Sequence, residues 1–144
     1  MFDYLAIIRE LGGQRFCCSQ IMIALGMELK GNENRQVAAE LVRAMNGLCG
    51  GMGDSAKDCG ALTGGACMIG LICGRGEANE DAHEQLRPMV HELVEWFEDE
   101  YGSVECSELA GTDLIKRREM CPGIVQATFE NAVRIMLENG IELA

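Results

Sequence analysis

Apolar residues recur every three to four positions along most of the chain, which is the spacing of amphipathic helices. The predicted helices cover residues 2–11, 17–29, 34–46, 60–72, 79–101 and 122–138. Residues 113–118 are expected to add one or two separate turns, and Pro122 to open the last helix from a first-turn position. Alternating apolar and polar positions, the sign of strands, are missing. We therefore predict an all-α, compact helical bundle of about five to six helices in a single domain spanning residues 1–144.

A glycine- and cysteine-rich stretch interrupts this pattern between residues 47 and 76. It holds ten of the eighteen glycines and four of the eight cysteines. Residues 47–58 are predicted to form a loop. Residues 60–72 are apolar and small, so we predict a buried helix, with a second loop or a strand as the alternatives. Each glycine costs a helix about 1 kcal/mol against alanine, so Gly64, Gly65 and Gly70 indicate close approach of a neighbouring helix.

Composition and charge restrict the class of protein. Apolar residues make up 48% of the 144 residues, enough for one hydrophobic core. No stretch reaches the ~18 apolar residues of a membrane span, and the first residues lack the pattern of a signal peptide. We expect a cytoplasmic protein without a membrane partner.

The negative charge is concentrated in one quarter of the chain. Of the net charge of −11, most falls in residues 79–112, where ten acidic residues face Arg87 alone. A polyanionic surface repels phosphate backbones, so no nucleic-acid partner is expected. The acidic helix predicted at 79–101 is either a solvated face or a docking surface for a basic redox partner protein.

Eight cysteines are the most informative feature of the composition. Without a signal sequence they favour metal binding or catalysis over a disulfide framework. No two of them form a Cys-x-x-Cys pair, which weakens the case for a zinc knuckle and a thioredoxin-type site. No Cys-x-x-Cys-His motif is present, so covalent haem is excluded. Any site must be assembled by the fold from distant thiols.

The cysteines differ in their predicted surroundings. Three are expected at helix starts, where free N–H groups and the helix dipole stabilise a thiolate; these are Cys18, Cys59 and Cys121. Cys106 lies in a short connection. Function is favoured for these four, and burial in the core is favoured for Cys67 and Cys73. Cys17 and Cys49 remain open.

Other chemistries have weaker support in the sequence. A phosphate-binding loop needs Gly-Lys-Ser/Thr after a strand, whereas Lys57 precedes Asp58 and no strand is predicted. His83 and His91 are poorly spaced as a ligand pair on one helix. Ser55 has no evident His–Asp relay. These observations leave the thiols as the carriers of chemistry.

The cysteine motifs resemble those of a known family. Four segments carry the resemblance: Phe16-Cys17-Cys18-Ser19-Gln20, Cys59-Gly60-Ala61-Leu62-Thr63-Gly64-Gly65, Cys106-Ser107-Glu108-Leu109-Ala110-Gly111, and Cys121 before the last helix. In this order they are similar to the bacterial and archaeal C-GCAxxG-C-C family, whose members are described as redox-active.

The resemblance implies an all-helical domain with four characteristic cysteines, which map to Cys18, Cys59, Cys106 and Cys121. A related domain occurs in split-Soret cytochromes, which are dimeric and carry an iron–sulfur centre. Since the haem motif is missing here, only the cysteine-bearing part carries over. The chain departs from the pattern by adding four cysteines: Cys17, Cys49, Cys67 and Cys73.

Three functions remain in competition. The first is electron transfer through an iron–sulfur cluster ligated by Cys18, Cys59, Cys106 and Cys121, with Cys17 and Cys49 as further candidate ligands. The second is a metal-free thiol–disulfide redox protein, in which Cys59 is the low-pKa attacking thiol and Cys18 or Cys121 resolves it. The third is a non-catalytic helical adaptor. We rank the cluster slightly above the dithiol; an enzyme here would be an oxidoreductase. A homodimer is also expected.

Overall fold

Seven α-helices and one 3-10 turn make up the secondary structure of the computed structural model, which describes residues 1–31, 33–111 and 113–144. The helices are α1 (Tyr4–Gly13), α2 (Cys18–Lys30), α3 (Arg35–Met45), α4 (Gly60–Cys73), α5 (Leu86–Tyr101), α6 (Cys106–Leu109) and α7 (Leu114–Glu138). The described residues form no strand, only an isolated bridge between Asp58 and Glu105. The all-α prediction is confirmed. No described helix has the length and apolar character needed to cross a membrane.

Local capping explains where most helices begin and end. The side chains of Asp3, Asn34 and Asp113 accept hydrogen bonds from first-turn N–H groups of α1, α3 and α7. Gly31 and Gly102 end α2 and α5 with φ of 71° and 76°, a conformation that favours glycine. Because these signals are local, the predicted ends of α1 to α4 fall within a few residues of the observed ones.

The last helix was predicted wrongly. Residues 113–118 are not a separate element, and Pro122 does not open the final helix but lies inside α7. An internal proline removes one backbone hydrogen bond and costs about 3 kcal/mol. The cap at Asp113 and the apolar contacts of Ile124 and Val125, both buried, offset that cost. Cys121 therefore lies mid-helix and not at a helix start.

The acidic helix is shorter than predicted. In place of 79–101, α5 begins at Leu86, and residues 76–85 fold as turns and irregular chain. The Glu80 carboxylate accepts two backbone N–H groups of this segment and so stabilises a non-helical path. Pro88 then falls in the first turn of α5, where a missing N–H costs nothing.

The core of the bundle lies where α4 packs against α2, α5 and α7. A Cβ on Gly64 would lie 2.7 Å from the Met22 Cβ and 2.9 Å from the Ser19 Cα, so only glycine permits this approach of α2 and α4. Gly65 likewise faces Leu93, at 3.0 Å. The prediction that these two glycines permit close approach of a neighbouring helix is confirmed. It is wrong for Gly70, which has nothing within 4 Å.

Alanine at Gly64 and at Gly70 is expected to have opposite effects. Gly64→Ala forces α2 and α4 apart and lowers the free energy of unfolding by about 1–3 kcal/mol. Gly70→Ala meets no neighbour and raises it by up to about 1 kcal/mol through helix propensity. Urea unfolding followed by circular dichroism measures both. Equal changes in the free energy of unfolding of the two variants would contradict the close contact at Gly64.

Candidate thiol site

Four of the six free cysteines line a single open cavity of about 810 Å³. They are Cys18, Cys59, Cys106 and Cys121. Each comes from a different part of the chain: Cys18 and Cys106 begin α2 and α6, Cys59 caps α4, and Cys121 lies inside α7. The fold thus brings together the four residues that the sequence favoured for function, and what they do there remains a proposal.

A pair of backbone hydrogen bonds positions Cys59 beside Cys106. The Cys59 N–H donates to the Val104 carbonyl at 2.8 Å, and the Cys106 N–H donates to the Lys57 carbonyl at 2.6 Å. Cys59 is the N-cap of α4 and Cys106 the first residue of α6. The start of each helix is therefore fastened to the other by main-chain contacts.

Gly60 allows Cys18 to approach the same point. A Cβ on Gly60 would lie 3.3 Å from the Ser19 nitrogen and 3.4 Å from the Cys18 Cβ. Contacts this short leave little room for a side chain after Cys59. The Cys59-Gly60 sequence thus serves the site by letting α2 and α4 meet at their N-termini.

Cys18 and Cys121 lie close enough for each thiol to shift the pKa of the other. This contact, together with burial, raises the pKa of Cys18 well above its ordinary value. The same contact, assisted by the nearby Arg117 guanidinium and opposed by burial, lowers the pKa of Cys121 to about 7. In the metal-free protein Cys121 is thus the thiol of this pair that ionises at the lower pH.

Cys59 does not have the low pKa that its helix-start position suggested. Burial raises the pKa of Cys59 to about 11, although the nearby backbone N–H groups of Ala61 and Leu62 lower it. The prediction that Cys59 is the activated attacking thiol is wrong for the metal-free chain, because desolvation outweighs the two N–H groups. The thiol with the lowered pKa is Cys121.

Cys17 and Cys49 form a disulfide, with their Cα atoms 5.7 Å apart. Both line the cavity, but disulfide sulfurs offer no thiolate to a metal, so their suggested role as ligands does not hold in this state. They meet because α2 is fastened to α3: Ser19 Oγ donates to the Met45 carbonyl at 2.9 Å. The sequence carried no signal for this pairing.

The two remaining cysteines lie away from the cavity lining, on α4. Cys73 is buried, as predicted for a core residue. Cys67 is exposed, so its predicted burial is wrong. The sequence of α4 is apolar all round, which predicted burial of every face of the helix. In the fold α4 packs against α2, α5 and α7, and the face that carries Cys67 remains exposed.

The thiolate set suits iron–sulfur chemistry in its donor type. Among the described residues no three His, Cys, Asp or Glu side chains converge where one ion could contact all of them. A tetrahedral zinc site needs such convergence. In an iron–sulfur cluster each iron takes at most two protein ligands, so thiolates placed around one cavity need not meet at a single point. Thiolates are also the donors that such clusters require.

Cys121 is expected to be the fastest thiol to alkylate in the metal-free protein. At pH 7 about half of a thiol with a pKa near 7 is ionised. Since nucleophilicity falls with pKa, its advantage over a thiol of ordinary pKa shrinks to about fivefold. Iodoacetamide labelling, located by mass spectrometry between pH 5 and 9, should rise through pH 7 and level off above it.

Cys67 is the matched control for this labelling. It is more exposed than Cys121, but partial burial raises its pKa. If exposure alone set reactivity, Cys67 would react first. Faster labelling of Cys67 than of Cys121 at pH 7 would contradict the assigned thiolate.

Comparison with known proteins places the same residues in a recognised pattern. The family model described as "Putative redox-active protein (C_GCAxxG_C_C)" matches residues 16–135. This span includes all four cavity cysteines and both cysteines of the disulfide. No curated protein and no solved structure matches the chain.

Proposed function

Because the chain belongs to the redox-active C_GCAxxG_C_C family, we propose that it transfers electrons through an iron–sulfur cluster held by four thiolates. The ligands would be Cys18, Cys59, Cys106 and Cys121. One observation carries the proposal: these four cysteines, drawn from sequence positions 18 to 121, line one cavity. Core-filling cysteines have no reason to gather in this way.

The surroundings of Cys59 support a ligand role. Cys59 is the N-cap of α4, and the nearby backbone N–H groups of Ala61 and Leu62 lower its pKa against the larger effect of burial. A thiolate bound to iron is stabilised by such groups, because they offset its negative charge where no water can. The N-terminus of α4 would therefore favour Cys59 in the charged form that a metal ligand needs.

Cys18 and Cys121 would form the second half of the ligand set. Their sulfurs already interact, and Arg117 places a positive charge near Cys121. When bound, a cluster supplies reversible one-electron transfer at a potential set by charge, N–H groups and burial. The residues of this chain provide those three influences through Arg117, the α4 N-terminus and the apolar core beneath.

Metal and sulfide analysis of anaerobically purified protein tests this proposal. We expect iron and acid-labile sulfide in equal amounts and a broad absorption band near ~400 nm that bleaches on reduction. Reconstitution with iron and sulfide under reducing conditions should restore the band if it is lost in air. A protein that stays colourless and iron-free after reconstitution would overturn the cluster.

A second candidate function rests on the contact between Cys18 and Cys121. Two adjoining thiols can exchange with an external disulfide: the Cys121 thiolate attacks one sulfur, and Cys18 then displaces the mixed disulfide. The two cysteines lose two electrons and two protons, and the external disulfide becomes two thiols. This function predicts a colourless protein that loses two thiols in one step, and loses none in the Cys121→Ser variant.

The acidic surface is proposed to dock a basic redox partner protein. Glu95, Glu98, Asp99 and Glu100 are exposed on α5, and charge complementarity of this kind speeds encounter at low salt. We expect the protein to reduce a basic c-type cytochrome more slowly as the salt concentration rises from about 10 to about 200 mM. Salt in this range shortens the Debye screening length to about 10 Å or less and so weakens the attraction between the two proteins. If salt slows the reaction of a Glu98→Gln/Asp99→Asn variant as much as that of the wild type, docking at α5 is contradicted.

A further inference from the structure

The cavity beside the thiols is positively charged in an otherwise acidic protein. The chain has twelve Lys and Arg residues and a net charge of −11. Four of its arginines line this cavity, and among the described residues Asp54 supplies the only carboxylate there. The arginines are Arg9, Arg15, Arg117 and Arg118.

The arginines come from two separate parts of the chain. Arg9 lies on α1 and Arg15 in the turn that follows it, while Arg117 and Arg118 are neighbours on α7. Within the described part of the chain, none of the four forms an ion pair. Arg117 Nε donates to the Gly111 carbonyl at 2.9 Å, which orients its guanidinium. The remaining guanidinium N–H groups are available to a ligand.

The size and lining of the cavity suit a small organic molecule. Its volume of about 810 Å³ is within the range of about 300–1,000 Å³ common for small-molecule sites. Apolar side chains, those of Ile8, Phe16, Leu114 and Pro122, lie between the arginines. A ligand that matches this surface has an apolar body and at least one anionic group.

We infer that this cavity binds a small organic oxyanion, with its charged group held by Arg117 and Arg118 and further attracted by Arg9 and Arg15. Guanidinium groups donate paired, charge-assisted hydrogen bonds to carboxylate, phosphate or sulfonate oxygens. The apolar part of the ligand packs against Phe16 and Leu114. The inference goes beyond electron transfer: it adds a ligand site next to the sulfurs, and it needs no metal.

A fluorescent oxyanion tests the site directly. The probe is 8-anilinonaphthalene-1-sulfonate, with the uncharged N-phenyl-1-naphthylamine as its neutral counterpart. We expect saturable binding of the sulfonate, weaker in high salt, and an affinity about tenfold or more lower in Arg117→Gln/Arg118→Gln. Binding of the neutral probe should change little. The measurement is made on metal-free and metal-loaded protein alike, so its outcome is independent of the cluster.

Matched variants separate a site from general electrostatics. Arg43→Gln/Arg87→Gln also removes two positive charges, but both residues are exposed and neither lines the cavity. Sulfonate affinity should be unchanged in this variant. If the contact of Arg117 with Gly111 proves necessary for folding, the Arg9→Gln/Arg15→Gln variant tests the same cavity through its other two arginines. Its affinity for the sulfonate should also fall. Equal losses in cavity and control variants, or equal binding of both probes, would overturn the inference.

A second readout locates the bound anion next to the thiols. In the metal-free protein, saturating sulfonate probe should slow the labelling of Cys121 by neutral iodoacetamide and leave that of exposed Cys67 unchanged. Both residues carry free thiols, and only Cys121 lines the cavity. Unprotected labelling of Cys121 at saturation would place the probe elsewhere and overturn the assignment.

Discussion

Removal of the Cys17–Cys49 disulfide is expected to lower the free energy of unfolding by about 3–4 kcal/mol. The bond joins residues 32 positions apart, and a loop of this length loses roughly that much chain entropy in the unfolded state when it is closed. The change is Cys17→Ser/Cys49→Ser, which leaves no unpaired thiol next to Cys18. Urea unfolding of the oxidised wild type, the reduced wild type and the double variant gives the comparison.

The reduced wild type is the control for side effects of serine. It should unfold at nearly the same urea concentration as the double variant, because both lack the cross-link. The loop from Gly50 to Ala56 should loosen in both, since it holds three non-glycine residues at positive φ: Met52, Asp54 and Ala56. A wild type whose stability does not respond to reductant would contradict the disulfide.

Replacement of Cys59 by serine is expected to abolish the cluster. The variant loses one of the four proposed ligands, so bound iron and sulfide should fall by about tenfold or more. Cys67→Ser is the matched control. It also removes one free thiol from α4, but Cys67 is exposed on the outer surface and does not line the cavity. Iron, sulfide and the visible band are measured for both variants after identical anaerobic reconstitution.

The same pair of variants separates the two redox mechanisms. A cluster requires Cys59, whereas a dithiol made of Cys18 and Cys121 does not. If Cys59→Ser retains full two-thiol oxidation and never binds iron, the dithiol function is favoured. If Cys67→Ser loses as much iron as Cys59→Ser, neither cysteine acts as a specific ligand and the proposed site is wrong. Circular dichroism confirms that each variant is folded.

The helices and most of their ends could be predicted from the sequence, because the signals are local. Apolar periodicity, the cap residues Asn34 and Asp113 and the terminal Gly102 act within one or two turns of the positions they determine. The motif of four cysteines and its order along the chain are likewise properties of the sequence. They sufficed to name the candidate ligands before any contact was known.

Tertiary contacts decided the properties that depend on distant neighbours. The continuation of α7 through Pro122 needed packing to offset a lost hydrogen bond, and the pairing of Cys17 with Cys49 needed α2 against α3. The pKa of Cys59 rose to about 11 because burial, which no sequence motif encodes, outweighed its helix-start N–H groups.

The cavity and its charge were equally a product of the fold. In the sequence Arg9 and Arg118 are two of twelve scattered cations among twenty-three acids. Only the packing of α1 beside α7 brings them to one concave surface with the thiols. The sequence determined which residues could carry the chemistry, and the tertiary structure decided which of them meet and in what charge state, because desolvation and Coulomb energies depend on distances across the fold.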